Sequence, residues 1–131
     1  MAKIKVGELK DLRKEFCKDV DIVDFHGLDI EIKQYLPVSD KIRLVIQSYI
    51  SVADEDGFDY YLFDIGFRKL LIENYTNLTL PKDNFDAFDL ITETGIYDFV
   101  YKNIPEEEIT EVEELKDRYI QTRENERKRK N

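Results

Sequence analysis

Hydrophobic positions along the chain switch between two periods. Leu9, Leu12 and Phe16 recur at i, i+3 and i+7, which predicts a short amphipathic helix over residues 7–17. Gly7 stands where an N-cap would, and Glu8 lies in the first turn, where the helix dipole favours an acid. The period then drops to two. Val23, Phe25, Leu28, Ile30 and Ile32 flank His26-Gly27, and an x-Gly pair between two β-rich runs predicts a hairpin near residues 19–35. A two-residue turn sets Phe25 against Leu28, Asp24 against Asp29, Val23 against Ile30 and Ile22 against Glu31. Val20 and Ile22 fall on the opposite face, so the first strand is expected to be covered on both sides or to contain a bulge.

Helical spacing returns after Pro37, with Ser39 as the expected N-cap. Ile42, Val45, Ile46, Tyr49 and Ile50 form one stripe that ends before the turn cluster Asp54-Glu55-Asp56-Gly57. Residues 58–76 carry two stripes: Phe58, Tyr61, Leu62 and Ile65, then Tyr60, Phe63, Phe67 and Leu71. A helix apolar on two sides should be covered on two sides, so this segment is the expected centre of the core. Gly66 within it, about 1 kcal/mol worse than Ala in a helix, predicts close approach of another backbone.

Thr79-Leu80-Pro81 interrupts the pattern. Phe85, Phe88, Leu90 and Ile91 predict a short helix closed near Gly95 as its C′ residue, and Ile96, Phe99 and Val100 predict another that ends before Pro105. Ile109, Val112, Leu115 and Tyr119 then mark a narrow stripe on a charged helix. Glu106, Glu107 and Glu108 open that helix and Arg123, Arg127, Lys128, Arg129 and Lys130 close it, complementing its dipole. The fold class expected is α+β, mainly helical, with about five or six helices and one N-terminal β-hairpin. Residues 1–104 form a compact domain and residues 105–131 a charged amphipathic C-terminal helix, which docks along one edge or projects.

Composition narrows the function classes. A chain of 131 residues fits one domain. Its net charge of −9 argues against general affinity for phosphate backbones, while permitting a basic protein partner and favouring solubility. Cys17, alone, cannot form an internal disulfide. The N-terminal stretch has no apolar leader and no apolar run approaches a bilayer span, so a cytoplasmic protein without membrane contact is expected. Asn77-Leu78-Thr79 matches a glycosylation sequon, which has no bearing in that compartment.

No catalytic constellation emerges. There is one His and one Cys, no nucleophile elbow, no phosphate-binding Gly loop and no dinucleotide fingerprint. His26 reads as an exposed turn residue and Cys17 as a small, half-buried apolar one. Asp19-x-Asp21-x-x-Asp24 and Asp54-Glu55-Asp56-Gly57-x-Asp59 resemble the opening of a calcium loop, yet positions 6 and 12 are Asp and Ile in both instead of Gly and Glu. Neither a metal nor a cofactor is expected. Asp19, Asp21, Asp24, Asp29 and Glu31 could together mimic nucleic-acid phosphates, although charge on an exposed strand edge more commonly guards against aggregation.

The stretch from Lys3 to Phe16 leads into a hairpin ending in Ile30 to Pro37, and Glu73 to Asn77 and Ile104 to Glu108 follow. This layout, spread over most of the chain, resembles small proteins from the structural and morphogenesis region of phages and prophages of low-GC Gram-positive bacteria. Within that group it looks most like tail-assembly chaperones, which are small, acidic and mainly helical, and are thought to coat the tape-measure protein and recruit tail-tube subunits. The resemblance implies a non-enzymatic protein that binds tape-measure, tail-tube or other virion proteins in the host cytoplasm or the virion, as a monomer or a homo-oligomer. No functional residue transfers from it. A minor neck, tail or capsid-associated component fits the same layout, and so does a phage inhibitor of a host protein acting through an acidic surface. The residues expected to meet a partner are Ile109, Val112, Leu115 and Tyr119, together with Tyr60, Phe63 and Phe67 wherever they are exposed.

Overall fold

The helix and strand periods read from the sequence organise the chain as observed in a computed structural model, which describes residue 3 and residues 5–16, 20–54 and 57–130, the side chains at 16, 58 and 130 excepted. Helix α1 (Val6–Phe16) precedes a hairpin of β1 (Val20–Phe25) and β2 (Leu28–Lys33). Then come α2 (Val38–Ile50), the two-residue strands β3 (Ala53–Asp54) and β4 (Gly57–Phe58), α3 (Tyr60–Tyr75), α4 (Asn84–Glu93), α5 (Ile96–Asn103) and α6 (Glu106–Lys130). The result is a mainly helical α+β fold with an antiparallel hairpin near its N-terminus.

Hairpin register follows from its turn. His26 and Gly27 both take positive φ, at 50° and 86°, the conformation whose twist matches two paired strands. Phe25 therefore faces Leu28, Asp24 faces Asp29, Val23 faces Ile30 and Ile22 faces Glu31, in an unbroken register from Val20 opposite Lys33. Among the described residues there is neither a bulge in the hairpin nor a second layer of cover over it. Val20 and Ile22 stand exposed on the outer face, contrary to expectation, because charged neighbours keep that face wet. The inner face buries Ile30 and Ile32. Ile32 bridges to Thr76 at the end of α3, the Glu31 N–H donates to Asn77 Oδ1 at 3.0 Å, and Phe25 packs on Phe99 of α5 at 4.8 Å between ring centroids.

Helices α2, α3 and α6 frame the core, with α4 and α5 closing its far side. In α3 the stripe Phe63, Phe67, Leu71, Ile72 and Tyr75 is buried, whereas Tyr60, Tyr61 and Leu62 are exposed. Cover on two sides thus fails at the start of α3. Asp59 caps that helix, accepting from the N–H groups of Tyr61 and Leu62. The neighbour of Gly66 is the side chain of Asn84, not a backbone, and a Cβ there would meet it at 3.5 Å. Gly95 adopts φ 77°, as expected of the C′ residue of α4. Two caps differ from expectation: α1 begins at Val6, one residue before Gly7, and α2 is preceded by Pro37, with no side-chain cap from Ser39.

The outward and inward sides of α3 make opposite demands on stability. Phe63→Ala should lower the unfolding free energy by about 3–5 kcal/mol through the cavity it leaves. Tyr61→Ala, at a position 82% exposed, should change it by less than about 0.5 kcal/mol. Urea denaturation of both variants checks this.

Candidate protein-binding surface

The geometry of the surface begins inside the protein. Burying a carboxylate is costly unless its oxygens are bonded, and Glu108, in the first turn of α6, meets that condition three times. Its Oε1 accepts from the Leu36 N–H at 2.8 Å and from the Tyr75 hydroxyl at 3.0 Å, and its Oε2 accepts from Lys41 Nζ at 2.9 Å. Lys41, itself fully buried, also donates to Glu111 Oε2 at 3.0 Å and lies 5.4 Å from the Tyr35 ring centroid. One carboxylate thereby ties the exit of the hairpin, α2, α3 and α6 together. Burial disfavours the Lys41 ammonium, but its bonds to Glu108 and Glu111 outweigh that and raise its pKa above 10.5. Burial, then the Glu108 charge, pushes the Tyr75 hydroxyl well above its ordinary value. The Lys41 ammonium stays charged and the Tyr75 phenol stays neutral.

This network sets the rotation of α2. Its buried residues are Lys41, Leu44, Val45 and Ser48, about one position away from the stripe expected at Ile42, Val45, Ile46, Tyr49 and Ile50. Turning Lys41 inward leaves Ile42 and Ile50 exposed and Ile46 half-covered. On α6, Leu115 and Tyr119 are half-buried on the facing side, with Tyr119 edge-on to Tyr49 at 5.4 Å. Ile42, Val45, Ile46, Leu115, Arg118, Tyr119 and Thr122 line a groove of about 260 Å³ with almost entirely apolar walls. That volume falls below the roughly 300–1,000 Å³ of small-molecule sites. It suits inserted side chains better than an enclosed ligand.

The residues expected to meet a partner divide accordingly. Leu115 and Tyr119 line the groove. Ile109 is half-buried against the core, and Val112, Phe63 and Phe67 are inside it. For the last three, cover comes from within the chain and none is left to offer a partner; Phe63 and Phe67 stack on each other at 5.8 Å. Tyr60 is exposed on α3. Sequence reasoning missed Ile42 and Ile46 as surface residues, although the apolar arc of α2, from Ile42 through Leu44, Val45 and Ile46 to Ile50, is wider than one core face requires. It also missed Glu108, which reads as a dipole-complementing acid until Lys41 is found opposite.

Other titratable groups are engaged locally. In the cleft between α3, α5 and α6, Arg68 pairs with Asp64 at 3.0 Å and lies over the Tyr97 ring, and Lys116 pairs with Glu113. Asp54 accepts from the Gly57 N–H and Asp59 caps α3, so these two acids of the calcium-like stretch serve its turn and helix start. Cys17, Asp19, Glu55 and Asp56 lie outside the described residues. Among the described residues no three His, Cys, Asp or Glu side chains gather as a metal site would require, and no helix is long and apolar enough to cross a membrane. His26 is exposed at the hairpin tip, edge-on to Phe25. Neither a protein-family profile nor a curated protein nor a solved structure matches the chain.

Removing one member of a buried ion pair costs about 3–5 kcal/mol. Glu108→Ala should therefore destabilise by that amount, and Glu108→Gln by less, because an amide oxygen still accepts from Leu36 and Tyr75. Both raised pKa values favour the fold most below the unfolded-state values of 10.5 for Lys41 and 10.0 for Tyr75. Their contributions are lost as pH rises through the folded-state values. Stability should thus fall on the alkaline side above pH 10, and Tyr75→Phe should make that fall shallower in chemical denaturation followed across pH.

Proposed function

We propose that this chain acts by binding protein, without catalysis, and that the groove between α2 and α6 is where it does so. One observation carries the reading: Ile42, Ile46, Leu115 and Tyr119 form a continuous apolar channel open to solvent, with walls fixed by a buried ion pair. A channel of that apolar character suits the apolar stripe of an amphipathic helix, read at i, i+3 and i+4. Acidic side chains of α6, Glu107, Glu111 and Glu114, rim a neighbouring surface and favour a helix that carries cations. The layout of the chain supplies the setting. It resembles phage morphogenesis proteins, so the partner proposed is a virion protein undergoing assembly in the host cytoplasm, in the manner of a tail-assembly chaperone.

A second reading has its own observation. Asp24 and Asp29 lie directly opposite each other, with Glu31 on the same exposed face, although like charges so placed destabilise a sheet. That pairing supports an acidic surface kept for a basic target, such as a host protein under inhibition. Asp21 belongs to the other face, opposite Ile32, and does not contribute to it.

A photo-crosslinking residue at position 46, in cells producing the protein from its own genome, tests the first reading. It should yield a discrete adduct with an assembly protein that the same residue at exposed position 98 of α5 does not yield. Adducts no different from those at position 98 would overturn the groove assignment. For the second reading, Asp24→Lys with Asp29→Lys should abolish salt-sensitive inhibition of a basic target, and inhibition surviving that reversal would dispose of it.

A further inference from the structure

Helical spacing supplies the cleft between α3, α5 and α6 with three matched pairs. Asp64 and Arg68 come from α3 at i and i+4, Tyr97 and Tyr101 from α5 at i and i+4, and Glu113 and Lys116 from α6 at i and i+3. Arg68 donates from Nε to Asp64 Oδ2 at 3.0 Å, and its guanidinium lies 4.7 Å from the Tyr97 ring centroid. Lys116 donates to Glu113, with its Nζ 5.1 Å from the Phe67 ring centroid. Among the described residues, neither Nη group of Arg68 has a hydrogen-bond partner, and Lys116 has no second one. Both cations are held in place while most of their N–H groups remain unused.

Tyr97 is the decisive member. It is 9% exposed, yet among the described residues its hydroxyl makes no hydrogen bond. A buried tyrosine hydroxyl ordinarily finds a partner. Burial pushes its pKa up, and the groups that act on its charge, first Arg68, then Tyr101, Asp64 and Glu113, all line the cleft. It is an O–H donor facing that space without an acceptor. Tyr101, half-buried with its ring 5.8 Å from that of Tyr97, has a hydroxyl in the same condition.

We infer that this cleft is a binding site for a neutral, polyhydroxylated ligand, a saccharide unit. Its volume of about 310 Å³ lies at the lower end of the range for small-molecule sites. Charge selects a neutral ligand. Each cation is neutralised by the acid on its own helix, and exposed Asp98 adds a further carboxylate, so no net positive charge remains to hold an anion. The carboxylates of Asp64 and Glu113, in turn, are committed to Arg68 and Lys116. Walls that are mostly polar disfavour an acyl chain or a flat aromatic ring. Hydroxyl groups meet the remaining need: each accepts from a phenol or a guanidinium N–H and donates to a spare lone pair of Asp64 or Glu113. A sugar carries several of them side by side on one small ring. The cleft shares no lining residue with the α2/α6 groove, so the two sites do not compete.

Titration of the isotope-labelled full chain with the methyl glycosides of glucose, galactose, N-acetylglucosamine and rhamnose, into the millimolar range and followed by amide NMR, tests this. At least one glycoside should saturably shift the amides of residues 64–68, 97–101 and 113–116. Tyr97→Phe should weaken that binding about fivefold, and Arg68→Leu about tenfold. The thermal midpoint of Tyr97→Phe should be unchanged or raised, because the hydroxyl bonds nothing within the protein; a lowered midpoint would assign that hydroxyl to the fold instead. Sodium acetate and tetramethylammonium chloride should shift the same amides less than the glycoside does. No saturable shift with any glycoside, larger shifts with either charged probe, or undiminished binding by Tyr97→Phe would overturn the saccharide site. The cross-link from position 46 depends on none of these outcomes.

Discussion

A single buried carboxylate organises this small protein. Glu108 has to be bonded from several directions to be tolerated where it lies, and the groups that meet this need come from parts of the chain far apart in sequence: Leu36 after the hairpin, Lys41 on α2 and Tyr75 on α3. Leaving any of them unmet would strand a polar group in a low-dielectric interior. The arrangement therefore selects one rotation for α2 and one axial position for α6. A purely apolar contact of the same area would tolerate small slips; an ion pair with defined donors does not.

The surface follows from that choice. With Lys41 turned inward, the wide apolar arc of α2 cannot all reach the core, and Ile42 and Ile46 are displaced to the outside beside Leu115 and Tyr119. The protein thus holds an ion pair inside and aliphatic side chains outside, the reverse of the usual partition. Apolar area left in water weakens the isolated fold relative to a fully covered one. Cover laid over Ile42 and Ile46 would recover that free energy.

Exposed apolar residues elsewhere share a common geometry. Val20 and Ile22 on the outer hairpin face, Tyr60, Tyr61 and Leu62 at the start of α3, and Val6, Leu9 and Leu12 on α1 each stand at the first residues of an element or on a face with nothing packed over it. Each local pattern is amphipathic enough to predict a buried side, and in each the chain supplies too few elements to cover it. A domain of this size has a high surface-to-volume ratio, so some stripes necessarily face water or a partner.

Local periodicity alone determined the elements: Leu9 and Leu12 the first helix, His26-Gly27 the hairpin and its register, Gly95 the break between α4 and α5, and the stripe from Ile109 to Tyr119 the last helix. These depend on neighbours within a few residues, through backbone sterics and side-chain spacing, and such information is complete in the sequence. Which face each helix buries was decided only in three dimensions. Lys41 reads as surface, and becomes core only because Glu108, 67 residues away, arrives opposite it. Ile42 and Ile46 read as core for the same reason in reverse. The groove exists because a long-range charge pair overrode the hydrophobic pattern of α2, and no local spacing encodes the meeting of two residues so distant along the chain.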